Sequence, residues 1–256
     1  MLNNLPKVVP LLLSSQQGAP TLDEYITDTI APMLYYKFDE ASGDLINYGS
    51  ETGDDDADGV VSGATQAQTG QLGAGEAYSF DGVDDIITVA NANIPNVKAL
   101  TTQRWAVLCN PAALGEGNLG SLLVYGTSGA VAHFLRLQSS SRLDAQISCQ
   151  TSVAVATAAA NEIADCIGAW CWLFMDYNDA TKRARLWKGL SGTLSALSLV
   201  TDTAGVGDVR SQSTVLQLGN RSALDRTFDG LFDVAIVDSG LWTTDDMQAL
   251  IDGAEV

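Results

Sequence analysis

The sequence predicts an all-β protein: a two-sheet antiparallel β-sandwich of the jelly-roll kind, with a short C-terminal helix and an extended N-terminal arm. Three observations predict it. From Met33 onward about a dozen short apolar runs follow one another with turn residues between them. One run alternates strictly, with Leu143, Ala145 and Ile147 facing one way and Asp144, Gln146 and Ser148 the other, as a half-buried antiparallel strand must. Glycine is plentiful (24 residues) and proline scarce (6), which suits tight turns better than a low-complexity tail.

At 256 residues the chain is long enough for one large β domain with a sizeable core. The formal charge of −18, from 13 basic and 31 acidic residues, weighs against nucleic acid, since a polyphosphate partner needs clustered Lys and Arg. Anionic membrane surfaces are disfavoured for the same reason. Acidic surfaces attract divalent cations instead. None of Cys109, Cys149, Cys166 and Cys171 stands in a C-x-x-C pair, so a zinc knuckle is disfavoured. Buried free thiols are the simpler reading, with a Cys166–Cys171 bridge as the alternative.

Taken in order, residues 1–32 form an arm ending in a short helix, and residues 33–256 form the sandwich. The arm is apolar through Leu2, Leu5, Val8, Val9, Leu11, Leu12 and Leu13, is punctuated by Pro6, Pro10 and Pro20, and shows no sustained period. It imitates an export signal, but Pro10 interrupts its core and only Lys7 precedes it. Such a segment is expected to pack on its own domain or on a partner chain. Thr21-Leu22-Asp23-Glu24 has the form of a capping box, Leu22, Tyr25, Ile26 and Ile30 give one helix face, and Pro32 ends it. Strands are expected over 34–38, 77–80, 85–89, 103–109, 122–125, 131–138, 142–148, 169–177, 183–188, 214–218 and 231–237, with 39–62 as a loop region. Thr243-Thr244-Asp245-Asp246 then caps a helix whose Met247, Leu250 and Ile251 cover the sandwich. The stretch Phe80-Asp81-Gly82 reads as an Asp-Gly turn tying two core strands, and Phe228-Asp229-Gly230 echoes it.

Two acidic clusters are candidates for calcium. Asp54, Asp56 and Asp58 open a D-x-D-x-D-G loop, where alternate carboxylates converge on a hard cation. The twelfth position is Thr65 and no helices flank the loop, which excludes an EF-hand. Asp81, Asp84 and Asp85 form the second cluster, and carboxylates this close repel unless something neutralises them. The competing reading of both is a solvated acidic turn. Enzyme signals are poor. The single histidine, His133, shares a strand face with Leu135 and Leu137, and neither a G-x-S-x-G elbow nor an E-x-D-x-E strand occurs. Trp172 and Phe174 read as core, whereas Trp187, beside Arg185, is the candidate platform for a sugar ring. Asn220-Arg221-Ser222 is a formal glycosylation sequon.

The order Tyr36-Lys37-Phe38-Asp39-Glu40, Ser42-Gly43, Asp58-Gly59, Phe80-Asp81-Gly82, Trp105, Trp172-Leu173-Phe174, Asp176-Tyr177, Leu186-Trp187-Lys188-Gly189, Leu218-Gly219, Phe228-Asp229-Gly230 and Leu241-Trp242-Thr243 resembles the laminin-G-like (concanavalin A-like) jelly-roll domain over about residues 33 to 254. The chain departs from the family at Lys188, where an Asn or Asp usually precedes the glycine, and the arm has no counterpart. The resemblance implies a non-catalytic module that binds glycans or proteins, often with calcium, and that also occurs in phage tail and capsid-surface proteins. Together with the arm it sets the leading expectation: a structural and adhesive module on a phage virion surface, oligomeric, docked by residues 1–20 on other virion proteins, with glycan binding by the sandwich. The alternatives are a secreted or cell-surface carbohydrate-binding module, and a glycoside hydrolase or lyase of the same fold.

Overall fold

The computed structural model describes residues 20–51, 57–72, 74–126 and 132–253. The arm positions Leu2 to Leu13, and Asp54 and Asp56 of the first acidic cluster, lie outside the described residues.

Thr21 caps α1 (Leu22–Glu24) through the expected box: the Glu24 N–H donates to the Thr21 hydroxyl, and the Thr21 N–H donates to the Glu24 carboxylate at 2.8 Å. The helix widens into a π turn over Tyr25–Ile30, and Ala31, left-handed at φ 46°, ends it one residue before Pro32. The strands follow as β1 (Leu34–Tyr36), β2 (Gly59–Ser62), β3 (Thr65–Thr69), β4 (Ala74–Asp81), β5 (Ile86–Val89), β6 (Gln103–Pro111), β7 (Ser121–Tyr125) and β8 (His133–Gln138). They continue as β9 (Arg142–Ser148), β10 (Val153–Ala158), β11 (Cys171–Asn178), β12 (Arg183–Leu190), β13 (Thr193–Ala196), β14 (Leu199–Thr203), β15 (Leu216–Leu218) and β16 (Asp229–Ser239), before α2 (Thr244–Gly253).

Two antiparallel sheets result. Sheet A runs β13-β12-β11-β6-β16-β4-β3, with β1 also on β16, and sheet B runs β14-β10-β9-β8-β7-β15-β5-β2. The sandwich is therefore as expected, and β8–β9 and β11–β12 are the expected hairpins. The loop expectation for 39–62 is corrected at its end, because 59–62 is a strand. β2, β3, β13 and β14 are the four sheet edges, and their sequences alternate weakly because an edge buries so little.

The main core fills the space between the sheets. Its aromatic centre gathers both Phe-Asp-Gly motifs: Phe80 lies 4.9 Å and Phe228 4.4 Å from Phe232, ring centre to ring centre. The echo in the sequence is thus a neighbour in space, since Gly230 pairs with Phe80 and Asp229 with Asp81 across β16 and β4. The first motif is a corner between sheets, because β4 belongs to sheet A and β5 to sheet B. Gly219, at φ 78°, packs on Phe80 so closely that a Cβ there would meet the ring at 2.1 Å. All four cysteines are buried free thiols, and Cys109 and Cys171 are cross-strand partners.

Sheet A is buried on its outer face as well. Leu22, Ile26 and Ile30 from the first helix and Met247, Leu250 and Ile251 from α2 pack over Leu108, Trp172, Phe174 and Ile236. Trp242, which leads into α2, fixes this layer. Its indole N–H is shared between the carbonyls of Trp105 (3.1 Å) and Met175 (3.0 Å), and its backbone N–H donates to the buried Asp176 carboxylate at 3.0 Å. Arg104 lies 4.8 Å over the indole ring and pairs with Asp238 and Asp246, and Tyr25 donates to Asp246 at 3.1 Å, which joins the two helices. Trp242→Phe keeps most of the apolar volume and removes the indole donor. It should lower unfolding free energy by about 1–3 kcal/mol, read as an earlier urea midpoint.

Candidate functional site

The terminal helices pack on sheet A, and the outer face of sheet B is covered only across its middle, where the β15–β16 loop lies over Ser121, Val124 and Gln217. The pleat dictates what it shows. Leu135 and Leu137 on β8 and Leu143, Ala145 and Ile147 on β9 point into the core, so Phe134, Arg136, Asp144 and Gln146 point out. Register then aligns one transverse row across the sheet: Val60, Thr88, Gln217, Val124, Phe134, Gln146 and Val155.

A cleft of about 170 Å³ opens on this row, lined by Ser121, Val124, Ala132, Phe134, Arg136 and Gln146 from the sheet and by Arg221 and Arg226 from the β15–β16 loop. The Arg136 guanidinium lies 4.2 Å over the Phe134 ring while its Nη2 and Nε donate to Asp144 at 2.6 and 3.0 Å, and the Thr157 hydroxyl donates to the other Asp144 oxygen at 2.8 Å. Arg221 donates through Nε and Nη2 to the two oxygens of Asp225, and this pairing holds the Asp225 carboxyl below its ordinary value. Arg226 differs. Its Nη1 donates to the Asp225 backbone carbonyl at 3.0 Å, its Nε is buried with no partner, and no carboxylate among the described residues pairs with it.

The loop that carries these arginines is pinned by Asn220, fully buried at its start. Its side-chain oxygen accepts from the Arg221 N–H (2.8 Å) and the Arg226 N–H (3.2 Å), while its amide nitrogen donates to the Thr227 hydroxyl at 2.6 Å. Thr227 donates onward to the Val83 carbonyl in the β4–β5 corner at 2.8 Å. The sequon at Asn220 is therefore a structural amide engaged on both of its polar atoms.

The sequence-derived candidates fall elsewhere. Asp81, Asp84 and Asp85 come together at the corner, with one oxygen from each within 4.8 Å of the others. The Asp81 N–H donates to Asp85 at 2.8 Å and the Val83 N–H to Asp81 at 2.8 Å, so part of the cluster is committed to holding the turn. Burial pushes the Asp85 carboxyl up, the Asp81 N–H opposes the rise, and the Asp81 and Asp84 charges add to it. Asp58 accepts from the Asn47 N–H at 2.8 Å and is not in that group. Trp187 and Arg185 meet on β12, the guanidinium 4.8 Å over the indole, with Trp187 packed against the outer cluster of sheet A and Arg185 bidentate on Asp176. Sequence reasoning did not single out Phe134, Arg136, Gln146, Arg221 or Arg226. The available signal was Phe134 itself, an aromatic residue on the outward phase of an alternating strand.

No protein-family model matches the sequence, and no curated protein matches it. Among solved structures, the Trypanosoma rangeli sialidase in complex with sialic acid is similar at TM-score 0.57 and 11% identity, over 88% of this chain and 33% of that one. The botulinum neurotoxin serotype D binding domain is similar at TM-score 0.57 and 11% identity, over 87% of this chain and 51% of that one. The Ruminococcus gnavus sialidase module CBM40 with α2,3-sialyllactose aligns at TM-score 0.48 and 15% identity, over 63% of this chain and 88% of that one. The first two likenesses bear on the fold alone, a β-sandwich.

His133 is buried and serves the fold. The Ser148 N–H donates to its Nδ1 at 2.9 Å, which leaves the proton on Nε2 to donate to the Arg210 carbonyl at 3.1 Å. Burial lowers its pKa from 6.5 to about 4, against the smaller opposing effect of the Arg210 carbonyl. The unfolded chain therefore binds the proton first, and stability falls as pH drops from about 6.5 to about 4, by roughly 3 kcal/mol in all. Urea melts of the parent and of His133→Gln across this window should differ in slope, with the variant's profile flatter.

Proposed function

We propose that this chain is a non-catalytic carbohydrate-binding module whose ligand seat is the cleft on the outer face of sheet B. The single observation that carries the reading is the composition and place of that cleft. An outward aromatic ring, a side-chain amide and guanidinium groups line a concavity of about 170 Å³ between the outer face of sheet B and the β15–β16 loop. A sugar ring presents an apolar C–H face and a rim of hydroxyls, and it is recognised by an aromatic surface together with planar, multidentate hydrogen-bonding groups. The cleft is smaller than the roughly 300–1,000 Å³ of sites that enclose a drug-sized ligand, which suits one ring of a longer chain.

The non-catalytic part of the reading rests on protonation. Glycoside cleavage needs a carboxyl held above its ordinary value to act as an acid. Beside the cleft, Asp225 is held below it, and Asp144 is bound to Arg136 and Thr157. His133 is locked into two backbone contacts. The virion-surface reading depends on the apolar arm, outside the described residues, so the carbohydrate-binding alternative is favoured over it.

The test is titration of the purified chain against a panel of neutral and acidic oligosaccharides by calorimetry. Binding is expected, and Phe134→Ala should weaken it about tenfold, with a single melting transition retained at a somewhat lower temperature because the ring's contact with Arg136 is lost. No heat with any member of the panel would overturn the proposal. Among the described residues, calcium enters it at Asp81, Asp84 and Asp85. A ligand selective for the folded state must raise the melting temperature, so a rise with calcium that vanishes in Asp84→Asn supports that site, and superimposed curves with calcium and with EDTA remove it.

A further inference from the structure

We infer that the cleft selects sugars carrying a single carboxylate, with Arg226 as its charged partner; this rests on the carbohydrate-binding reading above. The chain carries −18 overall and has only 13 basic residues, yet three guanidiniums line this one small cleft. Two of them are already neutralised, Arg136 by Asp144 and Arg221 by Asp225. Both keep an Nη1 that no described group engages, so each can donate a hydrogen bond without adding net charge. Arg226 is the third: it forms no ion pair with a described carboxylate, and its charge acts on Asp225 only at longer range, beside the Arg221 pair. The seat as built therefore holds one uncompensated positive charge beside two neutral, donor-rich ion pairs.

That arrangement fits an anion of one charge and planar shape. A carboxylate accepts from a guanidinium in two parallel bonds and gains the geometric specificity that a lone hydroxyl does not supply. A polysulfated chain is excluded by the same arithmetic. It would meet one net positive charge at the seat and the field of −18 everywhere else. The position of the charge is fixed by the fold, since Asn220 holds the backbone N–H of Arg226 and Asn220 is itself fully buried.

The experiment compares terminal sialic acid and glucuronic acid oligosaccharides with their carboxyl-reduced counterparts and with heparin fragments, by calorimetry on the full chain. The carboxylated sugars are expected to bind roughly ten- to hundredfold more tightly than the reduced ones. Arg226→Gln should remove that difference without moving the melting curve, and Arg226→Lys should restore part of it. Equal binding of carboxylated and reduced sugars, still sensitive to Phe134→Ala, would overturn this inference and leave the carbohydrate-binding reading standing. Stronger binding of heparin than of the carboxylated sugars would also overturn it. Silence across every sugar removes both.

Discussion

The attachment of Trp242 to sheet A decides which side of the sandwich can meet a ligand. The side chain is buried, and its two donors reach three acceptors: the carbonyls of Trp105 and Met175 and the carboxylate of Asp176. From that anchor α2 lies across β12 and β13, and the first helix is drawn onto the same face through Tyr25 and Asp246. The strand under this layer is apolar in both phases, with Trp172 and Phe174 outward and Leu173 and Met175 inward. Neither terminal helix reaches sheet B, whose outer face meets only the β15–β16 loop over Val124 and Gln217. Its outward phase carries Thr88, Phe134, Arg136 and Gln146, so recognition chemistry and a partly exposed surface coincide on one sheet.

The acidity of the chain also takes on a structural meaning. Several carboxylates act as acceptors for backbone N–H groups that the ladders leave over. Asp85 takes the N–H of Asp81, Asp233 those of Gln71 and Leu72, Glu51 that of Asn96, and Asp58 that of Asn47. Asp233 stands at the bulge in β16 where pairing with β4 gives way to pairing with β1. Charge-assisted bonds of this kind are stronger than neutral ones and suit corners and bulges, where strand pairing lapses. Part of the negative charge is thus committed to shaping turns.

How much of this could be read in the sequence follows from how much each segment buries. The central strands, the two hairpins, the capping box at Thr21 and the C-terminal helix were legible because burial imposes a period on the residues. The four edge strands were not, since β3 and β13 expose most of their length and leave no periodic trace. β10 escaped for another reason, its inward residues being Ala154, Ala156 and Ala158, too small to stand out from their neighbours. The acidic corner was visible as a cluster, although its role in joining the two sheets was not. The cleft was the least legible part. It unites β7, β8 and β9 with a loop some 75 residues further on, and only the register of the sheet brings Val124, Phe134 and Gln146 into line.

The corner and the cleft belong to one assembly. Thr227 bonds both the Val83 carbonyl of the corner and Asn220 of the arginine loop, and Asn220 in turn fixes the backbone of Arg221 and Arg226. Gly219 precedes that loop and can approach Phe80 only because it lacks a side chain. The Phe-Asp-Gly motif therefore positions the guanidiniums indirectly: its ring seats Gly219, and its turn supplies the acceptor that Thr227 needs. In an acidic protein a cationic seat is stable only where arginines are either paired or held by neutral backbone contacts, because a mobile guanidinium would be drawn to the nearest free carboxylate. Arg136 and Arg221 meet the first condition and Arg226 the second. The corner supports the second through Thr227, which ties Val83 to Asn220 and so to the backbone of Arg226.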